Sequence, residues 1–590
     1  MRIKHFFGLA VIAAMTASCS SNNDLVVGGG NGSGENESGV SYASITIDLP
    51  TTSGTRATTN DQFYGGTATE YAVNDATLLI FKKAGTSEND YQYVETASLG
   101  NLEPWKKDNT TDNGITTEAT ITAELQKAAV GENGDYYALV ILNNKDKNDA
   151  EKVTLPTDPT TYGAWNIANN ATAANLVDNT KGFYMANAPE FTKNGTEPTT
   201  LVPIKGIYRT KEEAHSKPGT TVHVERGLAK VTVGSNSTSD YFAAAGANAT
   251  GNKYKSDNVK ISSWALDVIN KTSFPVHVTT GLKLGAKWTD QTIPSYPTIW
   301  NNENKTTARF VSQLTAEGAF KRVYWGIDPN YSMALSDLAK CKAQFTLAEA
   351  NGTGVTWNNG SGSDKPLYCL ENTFDINNML QGQTTRVLLK ATYTPSVLAS
   401  ETDKTFFMIG NSSDIWTKKN LTDQIQSKAE EVLKTTTGVK VTLKDKLLEG
   451  GTHFLDATTV EIKSGEDDKT SEVVDQLNTK LGLNKTNGVG IKTYKNGESY
   501  YIARIKHFGD DLTLWKEGNK TYDGNNDSWL GRYGVLRNNW YDLTVNSISG
   551  PGYPDVPEVK PGTPDDEDTK YINVSVKILD WAKRSQSVDL

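Results

Sequence analysis

Residues 40–57 read VSYASITIDLPTTSGTRA. Ala43, Ile45, Ile47 and Leu49 alternate with Ser44, Thr46 and Asp48, and this period of two puts one apolar row on one face of a half-buried strand. Pro50, which has no N–H to give, ends the strand's ladder, and 51–55 form a small polar loop. Arg56 follows, the sole arginine between Arg2 and Arg209. The reading that organises the chain is therefore a first strand built to be removed. An arginine-specific protease has one target ahead of Arg209, between Arg56 and Ala57, and a cut there releases the strand.

A matching stretch lies near the other end. Residues 571–581 read YINVSVKILDW, with Ile572, Val574, Val576 and Ile578 alternating with Asn573, Ser575 and Lys577. It follows residues 551–570, rich in Pro, Gly, Asp and Glu, a composition that predicts an extended linker reaching on the order of 60 Å. Asp565, Asp566, Glu567 and Asp568 read as a solvated charge run. A lone strand on a linker can neither pair its backbone nor bury its apolar face, so it needs a sheet edge to join. One removable strand and one reaching strand imply an exchange in which the tail of one copy fills the groove opened in another. Repeated head to tail, that contact is heterologous and gives an open filament.

The 590 residues exceed one hydrophobic core, and strand-favouring residues dominate, so several mainly β modules are expected. Residues 76–81, 91–97, 136–143, 183–188, 259–269, 276–282, 320–325, 385–393, 499–505 and 534–548 read as strands. The segment 221–233 offers two more around Arg226 and Gly227. A boundary is placed near residue 220, where Lys217-Pro-Gly219 supplies turn chemistry. Within 414–487, Leu421, Ile425, Ala429, Val432 and Leu433 fall at helical spacing, as do Val473, Val474, Leu477 and Leu481, so two helices form an insertion. The expected organisation is 1–18 as signal peptide, 19–56 as tether and removable strand, 57–220 and 221–550 as successive β domains, 551–570 as linker, and 571–590 as donor strand and tail.

The N-terminus carries Arg2 and Lys4, an apolar run over 6–15, and Thr16-Ala-Ser-Cys19. This is the layout of a secretory signal, and the small residues before Cys19 resemble a bacterial lipobox, which makes Cys19 the lipidation site. The net charge of −10 excludes nucleic acid as a natural partner. With three cysteines and six histidines scattered along the chain, no metal site or cofactor is expected. Cys341 and Cys369 remain after Cys19 and are the one candidate disulfide. Asp523, Asn525 and Asp527 have the alternation of a calcium loop, but Ser528 and Gly534 stand where such a loop needs Gly and Glu, so the segment reads as a polar turn. No nucleophile or phosphate-loop motif appears in context, and no catalytic residue is assigned.

The chain resembles a Bacteroidales fimbrillin, close to the Mfa1-type major fimbrial subunits. The resemblance rests on the lipobox at Cys19, the strand and Thr55-Arg56-Ala57 junction, VERGLAKV at 224–231, YCLENTF at 368–374, RNNWYDLTV at 537–545 and VSVKILDW at 574–581. It implies two transthyretin-like β-sandwich domains, here with the helical insertion in the second. It also implies a lipidated outer-membrane precursor, proteolysis after Arg56, and polymerisation through the C-terminal strand into an extracellular fimbrium. The implied role is a structural, non-enzymatic shaft subunit supporting adhesion and biofilm growth. Its partners would be further copies of itself, accessory, anchor and tip subunits, an arginine-specific protease, and host or bacterial surface ligands. The other reading is a surface lipoprotein that stays on its anchor, as a fimbrial anchor or as an adhesin binding glycans or host proteins through aromatics such as Trp515 and Trp529.

Overall fold

The computed structural model describes residues 39–49, 68–100, 118–131, 134–168, 171–172, 176, 180–191, 198–235, 242, 247–248, 253–279, 301–302, 307–308, 321–322, 325–333, 335–362, 365–507, 532–565 and 572–580. The chain is mainly β. In order it forms β1 (Ser41–Asp48), the single turn α1 (Ala68–Tyr71), β2 (Ala76–Lys82), β3 (Gln92–Ser98), β4 (Glu118–Leu125), β5 (Tyr136–Leu142), β6 (Met185–Asn187), β7 (Val202–Pro203), α2 (Lys211–Ser216), β8 (Thr220–Arg226) and β9 (Leu228–Ser235). The first sheet runs β3-β2-β5-β6-β8-β1-β4, with β7 also on β5.

β2 and β5 show why a continuous apolar run need not be a helix. Leu78, Ile80, Ala138 and Val140 enter one core with Ala43, Ile45 and Ile47. The alternate residues Leu79, Phe81, Leu139 and Ile141 enter a second core with Leu228, Leu370 and Trp540. A strand covered on both faces loses the polar alternation. The first core joins β2, β3 and β5 to β1, β4 and β8, so the sheet rolls and its two wings share one interior.

The second half continues with β10 (Asn258–Asp267), β11 (Leu367–Leu370), β12 (Arg386–Thr394), β13 (Phe406–Ile409), α3 (Lys418–Leu433), β14 (Val439–Leu443), β15 (Gly451–His453), β16 (Val460–Ser464), α4 (Thr470–Lys480), β17 (Ile491–Tyr494), β18 (Glu498–Arg504), β19 (Asn539–Ile548) and β20 (Ile572–Asp580). One sheet runs β11-β9-β19-β20; another carries β10-β12-β18. Val231, Val233, Leu543 and Val545 of the first meet Ile261, Trp264, Leu389 and Tyr501 of the second in one core, which makes a sandwich.

Four sequence expectations change. The segment 221–233 forms the two expected strands, but β8 belongs to the first sheet and β9 to the next, so the crossing falls at Gly227 rather than near residue 220. Arg226 is buried at this crossing, its guanidinium donating to the Glu70 carbonyl at 2.9 and 3.0 Å. Residues 276–279 make only a single bridge, Val278 to Ile327, instead of a strand. The insertion is α/β rather than helical. α3 and α4 pack with β14 and β16 over a core containing Leu421, Ile425, Val441, Ile462, Val473 and Leu477, and β13-β17-β15 links it to the sandwich. Finally, residues 551–565 are a packed strap and not a free linker. Tyr553 exchanges backbone hydrogen bonds with Tyr500 at 2.7 and 2.9 Å, Val556 and Val559 are buried, and Asp565 is buried against Arg504 at 2.6 Å.

Candidate functional site

The site is the place of β1. Its alternation puts Ala43, Ile45, Ile47 and Leu49 inside, none more than 1% exposed. β1 pairs antiparallel with β4 along its whole length, Ser41 opposite Leu125 through Asp48 opposite Glu118. On its other side Ile45 to Asp48 pair in parallel with Thr220 to His223 of β8. Among the described residues, β1 is the strand through which β4 pairs with the rest of the sheet. Withdrawal of β1 therefore opens a strand-wide slot between β4 and β8, with unpaired backbone on both walls and an apolar floor.

β4 has a second anchorage. The Glu95 carboxylate accepts hydrogen bonds from the backbone N–H groups of Gln126, Lys127 and Ala128 at 2.7–2.9 Å, holding the strand's end from β3. Charge-assisted bonds of this kind are about twice as strong as neutral ones, so the slot keeps its far wall without β1.

The outer face of β1 is also closed. α2 lies against β1 and β4. Ser44 and Thr46 are buried; Thr46 Oγ1 is 2.9 Å from Thr120 Oγ1. A Cβ at Gly219 would strike Thr46 Oγ1, so glycine lets the chain pass close over the strand. The slot thus demands large apolar groups on one side and small polar ones on the other.

Its C-terminal end is charged. Asp48 lies opposite Glu118 and next to His223, whose Nε2 is 3.7 Å from the Asp48 carboxylate and whose Nδ1 is 3.2 Å from Glu190. Burial raises the Asp48 carboxyl from 3.8 to about 6; His223 opposes the rise and Glu118 adds to it. With the strand seated, Asp48 binds its proton more tightly than in the free chain. The hold on β1 is therefore fullest below about 4 and weakens as pH rises toward about 6. In protein nicked after Arg56, release of the first strand should be several-fold faster at pH 7.5 than at pH 5, followed by gel filtration. Asp48→Asn should flatten that difference.

Just past the expected cut, α1 is clamped at the crossing between the sheets. The Glu70 carboxylate takes Lys230 Nζ and the Tyr368 hydroxyl, each at 2.8 Å, with all three residues on different elements. Lys230 also stands over the Trp540 ring at 4.3 Å. Burial and then the Glu70 charge push the Tyr368 phenol far above its usual range, so it stays a donor. These contacts hold α1 independently of β1.

The sequence-assigned tail residues Ile572, Val574, Val576 and Ile578 lie on β20, which pairs antiparallel with β19, placing them opposite Ile548, Val545, Leu543 and Tyr541. Thus the strand is parked on its own chain, at a sheet edge with one strand neighbour. Cys341 and Cys369 are buried and free, in different cores, so the candidate disulfide is not formed. Cys19, Arg56, Ala57, Trp515, Trp529 and the turn 523–527 lie outside the described residues. The walls β4 and β8, the cover α2 and the Glu70 clamp escaped the sequence reading, because strand pairing between distant segments leaves no local pattern.

The fold is that of a mainly β protein with its first strand buried between β4 and β8 and its last strand paired with β19. Residues 492–587, which run from the exit of the insertion through β20, match a family model described as "Major fimbrial subunit protein type IV, Fimbrillin, C-terminal". The match covers the C-terminal region of the chain and does not single out the Mfa1 type. No curated protein matches the chain. Among solved structures, a fimbrilin from Porphyromonas gingivalis is similar at 12% identity and a TM-score of 0.33, over 92% of this chain and 99% of that one. The C-terminally truncated tip fimbrial protein Mfa3 from the same organism is similar at 10% identity and a TM-score of 0.27, over 92% and 100% of the two chains. A fimbrial assembly protein from Parabacteroides distasonis is similar at 11% identity and a TM-score of 0.24, over 59% and 95%.

Proposed function

We propose that the chain is a structural subunit of a fimbrial shaft, without catalysis, that polymerises by strand exchange. Cleavage after Arg56 frees β1, and β20 of a second copy occupies the slot between β4 and β8. The observation that carries this reading is β1 itself: a strand with its apolar row fully buried, which pairs β4 to the rest of the sheet and ends eight residues before Arg56.

The energetics support it. Four aliphatic side chains of the tail, buried at ~1.5–3 kcal/mol each, supply roughly 6–12 kcal/mol before ordering costs. Departure of β20 breaks pairing on one side only, because it is an edge strand. The strap 551–565 fixes the root of the tail at Asp565, seven residues before Ile572 of β20. At ~3.3 Å per residue those seven steps span about 23 Å, so the neighbour's slot must come that close.

The implied life history is a lipidated precursor at Cys19, an arginine-specific protease, and extracellular fibres that support adhesion and biofilm growth with anchor and tip subunits. The N-terminus and intact mass of protein sheared from cells test it. A start at Ala57 without lipid is expected. A start at acylated Cys19 would leave β1 seated and make the chain a membrane-held anchor or binding lipoprotein.

A further inference from the structure

The slot and the tail strand can be matched residue by residue, and the match rests on the strand exchange proposed above. Position by position, β1 and Leu49 offer Ala43, Ile45, Ile47 and Leu49 inward and Ser44, Thr46 and Asp48 outward. All but Asp48 are buried. A charged side chain in any of those buried places would lose its hydration with no partner waiting, a cost of several kcal/mol in general. The tail carries charges at Lys570, Lys577 and Asp580. These charges select the register.

In the direction of β1, moving the tail two residues one way puts Lys577 in the place of Thr46 beneath Gly219 and Asp580 in the place of Leu49. Two residues the other way put Lys570 in the place of Ala43. Running opposite to β1, the three apolar registers put Lys577 in the place of Ser44, or Lys577 in that of Thr46, or Lys570 in that of Leu49. One arrangement keeps charge out of places 43 to 47 and 49; Lys570 then meets the place of the buried Ser41, two residues ahead of the first residue of β20.

We propose that the tail strand of a second copy enters in the direction of β1, with Ile572, Val574, Val576 and Ile578 in the places of Ala43, Ile45, Ile47 and Leu49, and Lys577 in the place of Asp48. Asn573 and Ser575 then replace Ser44 and Thr46 beneath α2 and Gly219, and Ser575 keeps a hydroxyl opposite Thr120. The apolar sets differ by about one methylene in total, a change cores accommodate by repacking.

The register also reverses a charge. Asp48 faces Glu118 directly across the ladder, with Glu190 beyond His223. A carboxylate opposite a carboxylate opposes pairing, and a lysine opposite a carboxylate favours it. The strand that must leave is therefore the mismatched one at this end, and the strand that must enter is the matched one. Exchange acquires a direction from the slot's own walls.

Disulfide trapping in filaments tests the register. Cys341 and Cys369 are buried, and Cys19 precedes the cut, so introduced thiols can be followed. Full-length chains carrying Lys577→Cys are paired with Glu118→Cys, Thr120→Cys or Thr122→Cys, processed, assembled and oxidised. A ladder of linked subunits is expected with Glu118→Cys and not with the other two. A ladder with Thr120→Cys or Thr122→Cys, or one in which Asn573→Cys links to Glu118→Cys, would overturn the register while leaving strand exchange standing. Filaments that form with no ladder from any pair would overturn both. Independently, Lys577→Glu should lower fibre yield about fivefold, and Glu118→Lys in the same chain should restore it to within about twofold. Unchanged yield with Lys577→Glu would overturn the charge reversal.

Discussion

Cells producing only the Arg56→Ala chain should accumulate the uncut, lipidated form and show essentially no fibres by negative-stain microscopy. The reason is competition within one slot. While β1 is covalently attached, it meets the slot at an effective concentration in the millimolar range for a short flexible connection. A tail from another copy arrives at its bulk concentration, orders of magnitude lower, and must also leave β19. Ala43, Ile45, Ile47 and Leu49 together hold β1 with ~5–9 kcal/mol of apolar burial. The tail gains a comparable burial in the same slot, so the attached strand's advantage is its local concentration, about a thousandfold over a tail at micromolar concentration. Cutting converts the intramolecular competitor into one that diffuses away. A chain in which the same peptide bond is made cleavable by an added, orthogonal protease should regain fibres on addition of that protease. Normal fibres from Arg56→Ala, with β1 still attached by mass, would end the single-cut account.

The strand at 41–48 was legible from sequence because its alternation is local and bounded by Pro50. The role proposed for it rests on the isolation of Arg56 in the sequence. The walls of the slot were not legible: β4 lies about 75 residues away and β8 about 175, and pairing over such distances writes nothing into either segment beyond its own periodicity. The segment 551–565 shows a different failure. Its Pro, Gly and acid content reads as linker, yet two valines and one buried ion pair, Arg504 with Asp565, suffice to strap it down. Composition averages over such contacts. The break at Arg226 and Gly227 was legible, but not that the arginine is buried against the Glu70 carbonyl or that the glycine marks the passage between sheets. In the insertion, the helical spacing of Leu421 and Val473 was clear, while β14 and β16 are five residues each and lie among lysines and acids. The tail's need for an edge was readable, but not that β19 of its own chain offers one.

A chain ending at residue 570 should fold, bind an incoming tail, and stop growth. The truncation removes β20 and leaves the slot untouched, since β1, β4 and β8 share no strand pairing with β20. It also exposes one edge of β19, whose Tyr541, Leu543 and Val545 stay packed in the sandwich core. A loss of several degrees in Tm is therefore expected by calorimetry, with far-UV circular dichroism retained. Alone and cut after Arg56, the truncated chain should remain monomeric at concentrations where the intact chain polymerises. Mixed with intact chains it should act as a terminator, because it accepts a strand and donates none. In a head-to-tail polymer with one truncated copy in ten and equal incorporation, mean length should fall to about ten subunits. Length thus reports donation separately from folding: a misfolded truncation would leave the fibres long, whereas a folded acceptor shortens them in proportion to its fraction. If the truncated chain alone forms fibres of normal length, β20 is not the donor, and its place on β19 is simply that of the last strand of its sheet.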